Sequence, residues 1–271
     1  MTAQAIQQDT CAPEPAAVIR SRRWWRRDRP FAHFVATDVF TPDFYAELEE
    51  AFRGMLARGL GEAFRHSSGY DAYIHHLAPD IDGPLSFFVS RGWHELLAGV
   101  ADVRVTDDVS AALHHHEPGS RDGTVHNDLN PGWFPTTADT RADVRGAIRA
   151  DGINCVSSDL CDYKHGKPHA PGITPVERTR AVAMIYFLNN APWKKGNGGE
   201  CALYAHRSAV AAQTIAPVSN SLLLFECTPW SYHRFLSNRV GARDSVILWL
   251  HREREQAVER WGERSIVRWS R

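Results

Sequence analysis

Apolar positions along this chain follow two periods, a helical one early and a strand one later. Phe44, Leu48, Phe52 and Leu56 recur at the spacing of one helix face, and the run closes at Gly59. Thr41-Pro42-Asp43 ahead of them reads as a helix start, with Thr41 as cap and Pro42 at the first helical position. A second helix is predicted within residues 85–98, and an amphipathic one over 253–261. Residues 31–40 and 103–115 read as strands, the latter interrupted by Asp107-Asp108, taken as a turn. Further on, residues 182–188 form an unbroken apolar run, as in a buried strand. Short strands are expected over 200–204, 213–217, 221–225 and 245–250. Gly196-Asn197-Gly198-Gly199 and Val218-Ser219-Asn220 mark turns between them. This rhythm predicts a mainly β chain with flanking helices, built on a jelly-roll-like double sheet, the early helices packing outside one sheet.

One segment breaks the rhythm. From Asn130 to Arg178 the chain is rich in Gly, Pro, Asp and Thr, a length that in a compact domain points to function or disorder. It reads as an insertion with a short helix over 139–150, and as the place where substrate is selected. Residues 1–20, rich in Ala, Gln and Pro, read as a mobile tail, leaving 21–271 as a single domain. Between them, Arg20-Ser21-Arg22-Arg23-Trp24-Trp25-Arg26-Arg27 reads as a solvated edge whose tryptophans dock on the core.

Bulk numbers narrow the class. Lys and Arg total 31 against 32 Asp and Glu, for a net charge of -1. That balance argues against a dedicated nucleic-acid binder, whose domain is normally strongly basic. No apolar run approaches a membrane span, and residues 1–20 hold no apolar signal core. Five cysteines in 271 residues fit a reduced, cytoplasmic protein.

The sharpest chemical proposal lies in His126-Asn127-Asp128 with His233. In an extended segment, residues one apart point the same way, so His126 and Asp128 meet one ion. Two imidazoles and a carboxylate occupy one face of octahedral iron(II) and leave other positions open for oxygen chemistry. Arg243 enters the strand that holds Ser245 on the same face, and an Arg fork beside a hydroxyl suits a carboxylate. The competing reading of Arg243 is a surface salt bridge with Asp244 or Glu226.

Over residues 30–251 the sequence resembles the Fe(II)/2-oxoglutarate-dependent dioxygenases, in particular their prolyl 4-hydroxylase-like branch. Three stretches carry the resemblance: His116-Glu117-Pro118-Gly119 leading to His126-Asn127-Asp128; Tyr186-Phe187-Leu188-Asn189 with Trp193 and Gly198-Gly199-Glu200-Cys201-Ala202-Leu203-Tyr204; and residues 220–225 with His233, Arg243 and Ser245. The resemblance implies a double-stranded β-helix in which His126, Asp128 and His233 bind iron. It implies that Arg243 pairs with the distal carboxylate of 2-oxoglutarate, with Ser245 assisting. It further implies O2 as cosubstrate, ascorbate as an optional reductant, and decarboxylation to succinate and CO2 coupled to oxidation of an unactivated C–H bond. Relatives that halogenate lack the carboxylate, so Asp128 argues for hydroxylation. Many relatives carry Tyr where this chain has His116, and His116, or else His114 on the same strand face, is expected to take over its contact with the cosubstrate. The segment from there to His126 is one residue longer than theirs.

Other groupings compete. Cys155, Cys161, His165 and His169 could hold a second metal, but C-x5-C-x3-H-x3-H is not a standard zinc spacing, and an irregular loop is the preferred reading. His114-His115-His116 cannot converge on a strand. The expected substrate is a small molecule, amino-acid-like or carrier-tethered; the alternatives are a peptidyl-prolyl or protein hydroxylase, a zinc hydrolase on the same ligands, and a non-catalytic binding module.

Overall fold

The computed structural model describes residues 12–67, 69–136, 148–156, 159–207 and 210–268. Its strands are β1 Trp25–Arg27, β2 His33–Thr37, β3 Arg65–Ser67, β4 Ala72–His76, β5 Asp108–His116, β6 Pro131–Pro135 and β7 Asn154–Cys155, followed by β8 Pro175–Phe187, β9 Cys201–Tyr204, β10 Gln213–Ile215, β11 Ser221–Glu226, β12 Tyr232–Phe235 and β13 Arg243–Glu253. Helices are α1 Pro15–Val18, α2 Pro42–Ala57, α3 Leu60–Ala63, α4 Arg91–Ala101 and α5 Arg254–Trp261. No helix among the described residues is long and apolar enough to cross a membrane.

The strands form two sheets of jelly-roll type, as the pattern predicts. The large one runs β1-β2-β11-β8-β13-β5-β4-β3, with β6 added to β8 and β7 to β5; the small one runs β10-β9-β12. Period-2 alternation assigns each strand two duties. On one face of the large sheet Leu113, Met184, Tyr186, Leu224 and Leu248 pack against Leu48, Phe52, Phe87 and Trp93 of the helical layer. On the other face Ile185, Phe187, Leu223 and Phe225 pack against Cys201, Leu203 and Ile215 of the small sheet. The second space, between the sheets, is where the polar residues of interest lie.

Several expectations change. Thr41 stands at the N-cap of α2, but its side chain makes no capping bond. Part of the expected tail is built in: Val18 of α1 is buried, and Ile19 bridges to Phe40. Trp24 docks on Trp93, with ring centroids 6.1 Å apart, whereas Trp25 is 61% exposed. Neighbouring residues of an extended segment face opposite ways, so only one of the pair can dock. Asp107-Asp108 is not a turn: Asp108 opens β5 and is buried, its charge met by Arg178. The expected helix over 139–150 falls largely outside the described residues, and Ile148, at its described end, is bridged to Asn154 instead. The inserted segment also contributes β6 and β7 to the large sheet, so it is partly sheet, not only loop.

One irregularity matters for the site. Where β8 pairs with β13, Leu250 lies opposite Val182 but His251 opposite Arg180, so Ala181 is an extra residue on β8. A one-residue bulge reverses which face the following side chains take. Arg180 therefore joins Ala183, Ile185 and Phe187 on the face toward the small sheet.

Candidate metal centre

His126 and His233 are tied by reciprocal backbone hydrogen bonds, N–H to O at 3.1 and 2.8 Å, although they lie far apart in sequence. The loop between them and the next strand is shaped by Asn127, whose side-chain oxygen accepts from Leu129 N–H (3.2 Å) while its amide donates to the Pro229 carbonyl (3.1 Å). On the other side, the turn at Thr228-Pro229-Trp230-Ser231 is closed by the Ser231 hydroxyl, which accepts from Thr228 N–H at 2.9 Å, and it feeds His233 into β12.

Each imidazole is oriented by its own chain. Nδ1 of His126 donates to the Thr124 carbonyl at 2.8 Å, and Nδ1 of His233 to the Ser231 carbonyl at 3.0 Å. With each Nδ1 so engaged, Nε2 is the ring atom turned toward the centre and the one available to a metal. They face Asp128, at 3.9 Å from His126 and 3.4 Å from His233. Ligand atoms of these three side chains all lie within 4.8 Å of one another. Asp128 and His233 are buried, while the His126 side chain is 28% exposed beside Tyr70, which marks the open side. Burial, reinforced by His233, lowers His126 to about 4, so it is neutral and able to donate its lone pair near neutral pH. Burial alone would raise the Asp128 pKa, but the His233 hydrogen bond and charge, Arg180 and His126 outweigh it and hold the carboxylate ionised. Two imidazoles and one ionised carboxylate form a donor set that fits a divalent ion with open positions.

The carboxylate is itself held from behind. Oδ1 accepts from Arg180 Nη1 and Oδ2 from Trp249 Nε1, each at 2.9 Å. Arg180 lies over the Trp249 ring at 3.6 Å, so guanidinium and indole form a stacked clamp with one donor for each oxygen. Neither residue stands out in the sequence. Arg180 stands just ahead of an apolar run, and Trp249 lies inside the short strand over 245–250.

At the other end of the inter-sheet space lies Arg243, buried at 3% exposure between the rings of Phe187 and Phe235. Nη1 donates to the Ser245 hydroxyl at 3.0 Å, and Nε has no partner. Among the described residues no carboxylate is salt-bridged to it. Asp244 serves His115 and Asn189, and Glu226 serves Arg252 and Arg260, so the surface-salt-bridge reading fails. Burial lowers the guanidinium pKa to about 10, only partly offset by Cys201 and Asp244. A buried cation with an open donor is a built place for an anion. His116 lies opposite Arg243 across the β5–β13 pairing and stacks at 4.0 Å on Phe235, one of the two rings that flank the guanidinium. His114 faces the same space, opposite Ser245, while His115 turns away to Asp244.

The cysteine-histidine grouping does not assemble. Cys155 is fixed in β7 against β5, while Cys161 bridges to Pro168; burial raises their thiols to about 12 and about 11. Thiols so disposed are poor metal ligands.

Comparison with known proteins agrees with this arrangement. Residues 159–251 match the family model of the 2OG-Fe(II) oxygenase superfamily, a span that includes His233, Arg243 and Ser245 but begins after His126 and Asp128. A prolyl-4-hydroxylase from Pseudomonas putida is similar in structure, with 15% identity and a TM-score of 0.50, over 85% of this chain and 92% of that one. So is a Trichoplax adhaerens prolyl hydroxylase solved with a hypoxia inducible factor oxygen degradation domain peptide fragment. It has 16% identity and a TM-score of 0.54, over 83% of this chain and 86% of that one. At these identities the likeness is one of fold.

Proposed function

We propose that the chain is a 2OG-Fe(II) oxygenase, as the match of residues 159–251 to that superfamily's model supports, and that with Fe(II), 2-oxoglutarate and O2 it hydroxylates an unactivated C–H bond of a small-molecule, amino-acid-like or carrier-tethered substrate. The observation that carries the reading is the convergence of His126, Asp128 and His233 within 4.8 Å, at one end of a space whose other end holds Arg243. In this reading Nε2 of each histidine and a carboxylate oxygen of Asp128 hold Fe(II). Arg243 pairs with the distal carboxylate of 2-oxoglutarate, Ser245 steadies the guanidinium, and His116 flanks it. When bound, the metal supplies the O2 activation that couples decarboxylation of 2-oxoglutarate, to succinate and CO2, to oxidation of the substrate. The chain's own part is to orient these groups and to keep water away with Ile185, Phe187, Leu203 and Phe235. Asp128 and His233 are buried and His126 is partly exposed, which favours a substrate that approaches from the side of His126.

Anaerobic addition of Fe(II) and 2-oxoglutarate is expected to give a visible charge-transfer band that Asp128→Ala abolishes. A correctly folded protein that gives no band overturns the reading. A peptidyl substrate is the second reading, favoured by the peptide held by the Trichoplax relative. Succinate release driven by proline-containing peptides, and not by free amino acids, would select it.

A further inference from the structure

Arg180 is 4% exposed, a position that costs a guanidinium dearly unless its donors are met. The bulge at Ala181 turns it inward, where Nη1 reaches Asp128 and Nε donates to the Tyr163 hydroxyl at 3.1 Å. Having accepted from Arg180, that hydroxyl donates to Nε2 of His251 at 2.8 Å, and Nδ1 of His251 donates to the Asp108 carbonyl at 3.0 Å. The direction of this chain of hydrogen bonds needs a neutral His251, and burial lowers that imidazole to about 3.

Tyr163 belongs to the inserted segment, and its ring is locked there. A Cβ at Gly132 of β6 would stand 2.4 Å from the ring, so only glycine admits it. The Tyr163 carbonyl accepts from Trp133 N–H at 2.9 Å, and Phe134 meets the ring edge-on at 5.7 Å. The ring thus lies directly over the backbone of β6, with the hydroxyl at its inner end.

We propose that Tyr163 is a positioning residue for the metal site: acting through Arg180, it fixes the direction in which the Asp128 carboxylate faces, so that the inserted segment sets metal affinity and coordination geometry. The proposal rests on the reading of His126, Asp128 and His233 as ligands. Partners behind metal ligands typically contribute about 10- to 100-fold in affinity or activity. Tyr163→Phe removes one oxygen and leaves the ring packing in place, which separates orientation from folding.

The test titrates the metal-free, full-length protein with Mn(II) alone and records the visible spectrum of the Co(II)-loaded form. Tyr163→Phe is expected to weaken Mn(II) binding about tenfold and to shift the Co(II) bands, in a protein that still unfolds cooperatively even though the unmet Arg180 donor lowers its midpoint. Gly132→Ala keeps the hydroxyl but displaces the ring, and carries the same expectation. A Tyr163→Phe or Gly132→Ala protein that binds Mn(II) within twofold of the wild type, with an unchanged Co(II) spectrum, overturns the proposal. If the wild type binds no Mn(II), the ligand assignment itself falls, a distinct result.

Discussion

Arg243 donates to the hydroxyl of Ser245, two residues along the same strand, at 3.0 Å, and among the described residues no carboxylate is salt-bridged to the buried cation. An unpaired buried charge destabilises a fold, while the anion that completes it gains strongly. Arg243→Met should therefore do two opposite things. The metal-free protein should become more stable in urea unfolding, by about 1–3 kcal/mol, and the dissociation constant for 2-oxoglutarate should rise more than about 30-fold, a loss of at least about 2 kcal/mol. Loss of stability together with unchanged binding would show that the guanidinium serves the fold instead.

Trp249 holds Oδ2 of Asp128 while stacking on Arg180. Trp249→Phe keeps an aromatic face for the guanidinium but removes the donor. Metal affinity should fall about tenfold with little change in the thermal midpoint. Calorimetric titration with Mn(II) checks this, and an unchanged affinity would assign Trp249 to packing alone.

Asp108 gathers three donors: Arg178 Nε at 2.7 Å, Asn154 Nδ2 at 2.7 Å and the Thr106 hydroxyl at 2.8 Å. It thereby ties the inserted segment's β7 and the start of β8 to β5. Removing one member of a buried pair leaves the other uncompensated, at about 3–5 kcal/mol. Asp108→Ala should lower the thermal midpoint by roughly 6–12 °C, read by scanning calorimetry. A change under two degrees would mean that water replaces the carboxylate.

His114 is buried on the inter-sheet face, and burial, with Arg243 nearby, lowers its pKa to about 3 from an ordinary value of 6.5. The unfolded chain takes up the proton near pH 6.5 and the folded chain only near 3, so protons favour unfolding between them. Its contribution to stability is complete above about 6.5 and is lost as pH falls, at up to about 1.4 kcal/mol per pH unit. Unfolding free energies at pH 7.5, 6 and 5 should show a shallower acid slope in His114→Gln than in the wild type. Equal slopes would place the titrating groups elsewhere.

Much of this was legible in the chain. The four-residue recurrence from Phe44 to Phe52 gives α2, and the apolar run at 182–188 gives the buried half of β8, because burial on one or two faces writes itself into periodicity. His126, Asp128, His233 and Arg243 are visible because few residue types bind metals or carboxylates. Other features are not legible. β6 begins and ends in proline, which demotes a strand in any sequence reading, and it survives as a branch on β8. β12, which carries His233, is four residues long and has no clean alternation. Arg180 was missed because its inward direction depends on a register shift, which no single-strand pattern contains.

That shift also bears on how the protein can change by descent. Deleting Ala181 would leave Leu250 opposite Val182 and His251 opposite Arg180, so the ladder would close without a bulge and Arg180 would keep its inward face. A codon lost at Arg180 instead would bring Ala181 opposite His251 and take away the donor that hooks the inserted segment to Asp128. Descendants of this chain are therefore expected to lose the bulge residue far more readily than the guanidinium beside it.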